Sequence, residues 1–408
     1  MTAIVGVLNK HAVAIAADSA VTMGDTHKVI NSANKIFTLS KFHPVAVMTY
    51  NCASFMGVPW DIIIKEYRKQ LRDKCFPLLK DYVDDFVSFL RVRDFFCDNQ
   101  TKLECLHRML VSFYEDSRKT LGNNPTIKQL EELWSKFLVH KKTSKKCPDF
   151  ESYPIDSFRN SFSHEINEFA NKAGVANAGL LTEVFFCYLS ITVKTSLYTG
   201  LVFTGYGENE IFPSIVPLIV SPLVVEGRLK YYIDEENSAQ ISEHGTTAAI
   251  SPFAQVDVIQ TILRGINPAF QDIIAGVTKN SMKSIIDAVV KIINANPANY
   301  PLAARLKDLD VDSEINNLTK KISSEMNKCY TNKILNTVVS LDKEDMANMA
   351  GSFVSLTSLV RRMQPGEETV GGPVDVAVIS KGDGFIWIKR KHYFSPELNT
   401  AFFSNYFK

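Results

Sequence analysis

The sequence lacks several features that would assign the protein to a class at once. Its seven cysteines form no CxxC pair, and their odd number predicts free thiols in a reducing compartment. Lysine and arginine number 45 and acidic residues 44, so no global charge attracts nucleic acid or anionic lipid. No apolar stretch has transmembrane length, and residues 1–8 lack the basic start of a signal peptide. We therefore expect a cytoplasmic protein without nucleic-acid or membrane partners.

What is present is typical of a large globular protein. Of its 408 residues, 46% are hydrophobic and 22% are charged, which is enough for a substantial core. Apolar runs near the N-terminus predict two successive hairpins with both faces covered. We expect one α+β domain over 1–408, in which strands and helices alternate in blocks. Strands are predicted at 3–8, 13–17, 36–39, 45–49, 201–204, 215–220, 229–233, 374–379 and 385–388, and helices at 75–140, 253–274 and 280–363.

The loops of the two predicted hairpins fix which residues lie opposite each other. A three-residue loop in the first hairpin places Thr2 opposite Asp18. A four-residue loop in the second hairpin places Lys35 opposite Tyr50. The sequence by itself does not show whether these strand ends face one cleft.

Thr2 has a chemical property that depends on its position after Met1. Methionine is normally removed before small residues, and removal gives the threonine a free α-amine beside its own hydroxyl. That amine has a reference pKa of about 7.7–8.0 and can act as a general base toward the hydroxyl. A nearby lysine favours the alkoxide, and an aspartate keeps that lysine charged. The alternative is an ordinary strand start that retains Met1.

These segments resemble the N-terminal-nucleophile hydrolase family, specifically proteasome β subunits and the bacterial HslV-type peptidase. The resemblance implies a four-layer αββα sandwich, with Thr2 as nucleophile and with Asp18 and Lys35 as catalytic support. Instead of supporting catalysis, Asp18 and Lys35 could form a structural ion pair in an inactive relative of the family. The matching segments are Thr2-Ala3-Ile4-Val5-Gly6-Val7, Val13-Ala14-Ile15-Ala16-Ala17-Asp18-Ser19, Val21-Thr22-Met23-Gly24 and Lys35-Ile36-Phe37. Looser matches are 201–206, 249–251 and 371–379.

The resemblance also implies two further site residues. The backbone amide that binds the oxyanion corresponds to Asn51, where the family has glycine. The family's Gly-Ser-Gly serine corresponds to Ser251, although a helix N-cap is an alternative role for it. Family members have little more than half this length. The surplus falls in two helical insertions, at roughly 75–195 and 276–345.

Other motifs support competing sites only weakly. Cys52 has no histidine placed to activate it, which argues against a thiol nucleophile. The basic stretch 140–146 is typical of a solvated turn, with a phosphate patch as the alternative. Gly205-Tyr206-Gly207 lacks the third glycine of a dinucleotide site and predicts a turn. No histidine or carboxylate spacing indicates a metal site, and nothing implies an organic cofactor.

The sequence thus predicts a threonine-type hydrolase that cleaves amide bonds in a peptide or protein substrate. A catalytically inactive scaffold or regulatory relative is the alternative, and an amidase for small molecules is a third reading. The family resemblance implies a possible homo-oligomer, which the insertions could prevent.

Overall fold

A computed structural model of the protein describes most of the chain. The described residues are 2–22, 29–92, 98–122, 124–141, 143–295, 300–364, 370–392 and 394–401. The chain divides into two compact units, the first made of Met1–Ala254 with Asp342–Lys408 and the second of Gln255–Leu341.

Strands and helices follow each other in blocks along the chain. The strands are β1 (Ala3–Asn9), β2 (Val13–Ala17), β3 (Val21–Thr22), β4 (Val29–Ile30), β5 (Ile36–Thr38), β6 (Val45–Asn51), β7 (Ser54–Phe55), β8 (Val58–Pro59), β9 (Thr199–Gly205), β10 (Ser214–Val225), β11 (Arg228–Ile233), β12 (Ala239–Gln240), β13 (Ala248–Ala254), β14 (Asp375–Ser380) and β15 (Gly384–Lys389). The helices are α1 (Trp60–Leu71), α2 (Leu79–Val92), α3 (Asn99–Leu121), α4 (Ile127–Lys141), α5 (Ile155–Ala173), α6 (Ala178–Ser190), α7 (Asp257–Arg264), α8 (Pro268–Ile293), α9 (Tyr300–Lys307), α10 (Val311–Met326), α11 (Asn332–Ser340) and α12 (Lys343–Met363).

The first unit contains two large antiparallel sheets. One has five strands in the order β13-β1-β2-β14-β15. The other has the order β11-β10-β9-β6-β5, and β12 pairs with β10 beside it. The two predicted N-terminal hairpins are both present, but β1–β2 belongs to the first sheet and β5–β6 to the second.

Apolar side chains of the two sheets share one buried cluster. Ile4 and Ile15 of the five-stranded sheet lie in it together with Met48 and Val202 of the other sheet. The contact is close at Gly6, where an added Cβ would lie 2.4 Å from Ile215 Cδ1. Burial on both faces explains why the β1 and β2 sequences are almost continuously apolar instead of alternating.

Helices pack on the remaining faces of the sheets in this unit. Helix α12 contacts β1, β2 and β14, and α2 and α3 contact β10. The rings of Phe86 in α2 and Phe203 in β9 have centroids 5.4 Å apart. The predicted α+β class is confirmed at this level, as a mixture of antiparallel sheets and many helices.

The register of the first hairpin differs from the prediction by one residue. Leu8 pairs with Val13, so Asp18 lies beside Ala3 and its N–H donates to the Ala3 carbonyl over 3.1 Å. The cause is a tighter turn, because Asn9 pairs with Ala12 across a loop of only two residues, its N–H donating to the Ala12 carbonyl over 3.1 Å. The Asn9 side-chain oxygen accepts the N–H groups of His11 and Ala12 in an Asx turn. The placement of Thr2 opposite Asp18 is therefore wrong.

The register of the second hairpin also differs from the prediction by one residue, here because the loop is longer than predicted. Leu39 N–H donates to the Val45 carbonyl over 2.9 Å, which leaves five residues in the loop. The Ser40 hydroxyl accepts two backbone N–H groups there and stabilises the extra residue. Lys35 therefore lies opposite Thr49, whose N–H donates to the Lys35 carbonyl, and its pairing with Tyr50 is wrong.

The second unit is helical throughout and comprises α7 to α11 among its described residues. Helix α8, with 26 residues, packs against α9 and α10. Lys279 of α8 forms an ion pair with Asp312 of α10. A helix was predicted from residue 253, but the first helix after β13 begins at Asp257, because Phe253 and Ala254 still pair with β1.

Candidate active site

A buried ion pair joins the end of β2 to the start of β5. Lys35 Nζ lies 2.7 Å from Asp18 Oδ1, and the two side chains are 4% and 0% exposed. The ammonium also donates to the Ala20 carbonyl over 2.6 Å. Asp18 and Lys35 were both predicted as site residues, and the structure brings them together although the predicted strand pairings were each off by one.

The Asp18 carboxylate is held by backbone amides as well as by the lysine. Oδ1 accepts the Ala3 N–H over 2.9 Å, and Oδ2 accepts the N–H groups of Ala20 and Gly371 over 3.1 and 3.2 Å. Such hydrogen bonds compensate a carboxylate for lost hydration. The arrangement fixes one charged oxygen between the start of β1 and the ammonium group.

Burial lowers the pKa of the Lys35 ammonium below its ordinary value of 10.5, although the adjacent Asp18 charge acts in the opposite direction. The charge of Lys391 lowers this pKa further. A buried lysine with a lowered pKa releases a proton more readily than a surface lysine does. Such perturbed lysines are frequent at functional sites, but they also occur in structural ion pairs.

Thr2 lies directly before the first anchored amide of β1. The side chain is 5% exposed, and the next residue, Ala3, donates its N–H to Asp18. The Thr2–Ala3 peptide group is thus attached to the same carboxylate oxygen that binds Lys35. Met1, Met23 and Gly24, which belong to the predicted motif, lie outside the described residues.

Asn51 is the last residue of β6 and has left-handed backbone geometry, with φ of 72°. Its side-chain Nδ2 donates to the Tyr198 carbonyl over 2.9 Å. Thr49, the neighbour of Lys35, precedes Asn51 by two residues, or about 7 Å of strand. A left-handed residue is normally glycine, and asparagine is the next most tolerant type.

Ser251 is not brought to this cluster. It lies within β13 opposite Gly6, whereas Ala3 pairs with Ala254 at the other end of the strand. Three residues of strand correspond to about 10 Å. The N-cap alternative is wrong as well, because pairing with β1 keeps the segment extended and α7 begins only at Asp257.

A second buried pair next to this cluster was missed. Asp375 at the start of β14 accepts the Lys391 backbone N–H over 2.8 Å and also bonds the Lys391 ammonium. Asp375 lies opposite Ala17, the residue before Asp18. An acidic residue inside a predicted apolar strand requires a partner, so the sequence contained a signal for this pair.

The competing motifs lead to no alternative site. Burial raises the pKa of the Cys52 thiol, which disfavours the nucleophilic thiolate. Gly205 ends β9 at φ of 126°, and a Cβ there would lie 2.0 Å from the Pro44 carbonyl oxygen. In the basic stretch 140–146, Lys145 and Lys146 line a cavity together with residues of both charges, and Lys142 lies outside the described residues.

The described residues also bear on metal binding and on membrane insertion. No group of three or more histidine, cysteine, aspartate or glutamate residues among them is arranged to hold a metal ion. No single described helix is both long and apolar enough to cross a membrane. The pair α5 and α6 meets that criterion only when both are taken together, across a bend of 117°.

Comparisons with known proteins do not establish a family for this chain. No family model matches the sequence, and no curated protein matches it. Among solved structures, the chain is similar to a Gly-1 mutant of Anbu from Hyphomicrobium sp. strain MC1, with 8% sequence identity. The alignment covers 100% of this chain and 95% of the other, with a TM-score of 0.29. A similarity of this size carries no argument about fold or function.

Proposed function

We propose that the protein is a threonine-type N-terminal-nucleophile hydrolase that cleaves amide bonds in peptides, like proteasome β subunits and HslV-type peptidases. One observation carries the proposal. A buried lysine with a lowered pKa shares a single oxygen of Asp18 with the backbone N–H of Ala3, directly after the candidate nucleophile Thr2. The chemistry of an N-terminal threonine requires a cation and a carboxylate at this place.

The proposed reaction starts with removal of Met1. The Thr2 hydroxyl oxygen then attacks the amide carbonyl carbon, and the Thr2 α-amine accepts the hydroxyl proton. The C–N bond breaks as the same amine returns the proton to the leaving nitrogen, and an ester on Thr2 remains. Water hydrolyses that ester and regenerates the enzyme. Lys35 favours the neutral amine and the alkoxide, and Asp18 holds the Lys35 ammonium in position.

We further assign the Asn51 backbone N–H to stabilisation of the oxyanion in each tetrahedral intermediate. Support comes from its place at the end of β6, two residues beyond the strand neighbour of Lys35. A backbone N–H serves this role with any side chain, so asparagine in place of glycine is compatible with it.

The proposed architecture is the four-layer αββα sandwich of this family, with helical insertions at roughly 75–195 and 276–345. It is supported by the apolar cluster that the two sheets share and by the helices that contact each of them. The homo-oligomer that the resemblance implies stays a prediction, which light scattering of the purified chain tests.

The test combines an intact-mass measurement with a covalent probe on one sample. Loss of the Met1 mass and an adduct with an epoxyketone or β-lactone are expected. The adduct should disappear in Thr2→Ala and persist in Thr2→Ser, which keeps a hydroxyl. Activity that survives Thr2→Ala would refute the nucleophile, whatever the probe shows.

The second candidate is an inactive relative that binds a partner. It is favoured by the low exposure of Thr2, at 5%, and by the two acceptors that already engage the Lys35 ammonium. Retention of Met1 together with the absence of any adduct would support this candidate against the hydrolase.

A further inference from the structure

A cavity of about 300 Å³ lies where the two large sheets both end, and the proposed mechanism does not use it. Strand β5 is the last strand of one sheet, and β15 is the last strand of the other. Thr38 of β5, Arg68 of α1 and Trp387 of β15 line the cavity. The described lining does not include Thr2, Asp18 or Lys35, but it includes Lys391, whose charge acts on Lys35, so the cavity adjoins the candidate active site without containing the nucleophile.

Two buried polar atoms on lining residues have no hydrogen-bond partner in the described part of the chain. One is the donor Nε1 of Trp387, and the other is the acceptor Oδ1 of Asp61. The second Asp61 oxygen accepts from Lys65 over 2.8 Å. A buried polar group without a partner costs about 1–3 kcal/mol, so such groups are normally satisfied by water or by a ligand. A ligand that satisfies both needs an acceptor and a donor.

The two other tryptophans show what is unusual about Trp387. Trp60 Nε1 donates to the Thr199 hydroxyl over 2.9 Å. Trp134 Nε1 donates to the Ser117 hydroxyl over 3.0 Å. Both of these indoles are 2% exposed or less and are satisfied inside the protein.

The charge of the lining favours an anion as the acceptor. The Arg68 guanidinium donates a hydrogen bond to the neutral Thr38 hydroxyl over 2.8 Å and has no carboxylate within ion-pair distance among the described residues. The Arg390 guanidinium lies 4.7 Å from the Trp387 ring centroid, next to the unsatisfied indole. The Arg68 guanidinium can bind a carboxylate in a forked geometry, through two parallel N–H donors.

The walls of the cavity also contain apolar groups. Ile36 of β5 and Ile64 of α1 line it, at 3% and 1% exposure. A bare inorganic anion gains nothing from such walls, whereas a short aliphatic chain that ends in a carboxylate buries its methylene groups against them. The ligand chemistry is thus a carboxylate on a methylene stem, accompanied by an N–H donor for Asp61.

We propose that this cavity binds a glutamate side chain of a peptide. Its carboxylate bonds Arg68 and the Trp387 Nε1–H, and a peptide N–H donates to Asp61 Oδ1. The proposal goes beyond the proposed hydrolase activity, because binding at this cavity requires neither Thr2 nor hydrolysis.

The test uses the indole N–H signals of the ¹⁵N-labelled full chain, of which there is one for each tryptophan, at positions 60, 134 and 387. Trp387→Phe assigns its signal. The protein carries Thr2→Ala in all samples, so that hydrolysis and binding are separated. Titration with end-blocked Ala-Glu-Ala should shift the Trp387 signal and leave the other two in place. Ala-Gln-Ala should bind about tenfold more weakly or worse, because a charged hydrogen bond is replaced by a neutral one.

Matched substitutions of two arginines, one in α1 and one just after its end, complete the test. Arg68→Met should weaken Ala-Glu-Ala binding about tenfold or more, whereas Arg72→Met, one turn further along the chain, should not change it. An unmoved Trp387 signal, equal binding of Ala-Gln-Ala, or equally tight binding of inorganic phosphate at matched ionic strength would overturn the proposal. If Arg68→Met does not fold, the binding of Ala-Glu-Ala and Ala-Gln-Ala to the protein that retains Arg68 is sufficient to test the proposal.

Discussion

Lys35 Nζ and Asp18 Oδ1 are 2.7 Å apart at a place where neither side chain is more than 4% exposed. Each charge is therefore compensated mainly by the other and by backbone groups, with little help from water. Removal of one partner leaves the other charge buried and unpaired in a medium of low polarity. The pair stabilises the fold only as a unit, whether or not it also serves catalysis.

This coupling predicts the result of a double-mutant cycle. Asp18→Asn and Lys35→Met should each lower the free energy of unfolding by about 3–5 kcal/mol, because each leaves a buried unpaired group. The double variant should lose clearly less than the sum of the two. Urea unfolding at pH 7 measures all four proteins, and additive losses would show that the two charges do not interact.

Lys230 predicts a dependence of stability on pH. It is 2% exposed and donates to the carbonyls of Tyr188 and Ile191, and burial lowers its pKa from 10.5 to about 8. Between these two values the unfolded chain binds more protons than the folded one, so this contribution to stability rises with pH. The gain from pH 8 to 10.5 corresponds to roughly 3 kcal/mol at 1.36 kcal/mol per pKa unit.

The measurement compares the unsubstituted protein with Lys230→Met across this range. Their difference in unfolding free energy should move in favour of the unsubstituted protein as the pH rises above 8. The exposed Lys69, replaced by methionine, serves as the matched surface control. A flat or falling curve for Lys230 would mean that its folded pKa is not lowered.

The left-handed backbone of Asn51 predicts an order of stability for two variants. Asn51→Gly and Asn51→Ala both lose the hydrogen bond to the Tyr198 carbonyl, so that loss cancels between them. A backbone φ of 72° is sterically unfavourable for alanine, which has a Cβ, but not for glycine. The alanine variant should be about 1–2 kcal/mol less stable in urea unfolding. Equal midpoints would contradict the left-handed geometry at the end of β6.

The contact between the two sheets predicts a compensating pair. Gly6→Ala should cost about 1–3 kcal/mol, because its Cβ collides with Ile215 Cδ1. Ile215→Val removes that atom and alone should cost about 0.5–1.5 kcal/mol. In the double variant the alanine should be tolerated better, so the thermal denaturation midpoint should exceed the additive expectation. Simple additivity would show that β1 and β10 do not press on each other at this point.

Much of the sheet structure was predictable because buried strands leave a strong local signal. The runs at Ala3–Asn9 and Val45–Asn51 are apolar nearly throughout, and both are paired strands. The register was not predictable, since it depended on hydrogen bonds of Asn9 and Ser40 within their turns. One residue in each loop changes every opposing pair in the hairpin.

In the candidate site, too, some features were predictable from the sequence and others were not. The family resemblance implied that Asp18 and Lys35 act together near the first strand, and in the structure they form an ion pair. The amide of Gly371, which also binds Asp18, comes from a segment more than three hundred residues away, so no local pattern could reveal it. Ser251 was misplaced for a related reason, since pairing with β1 extended the strand beyond it.

By itself the sequence determined which segments are apolar enough to be buried, and which charged residues must find partners among them. Only the tertiary structure decided the partners: Asp18 with Lys35 and Asp375 with Lys391. It also placed Arg68 in the lining of the same cavity as Trp387, whose indole N–H has no partner among the described residues. The physical reason is that burial follows from the transfer energy of each segment, whereas pairing depends on distances between atoms that lie far apart along the chain.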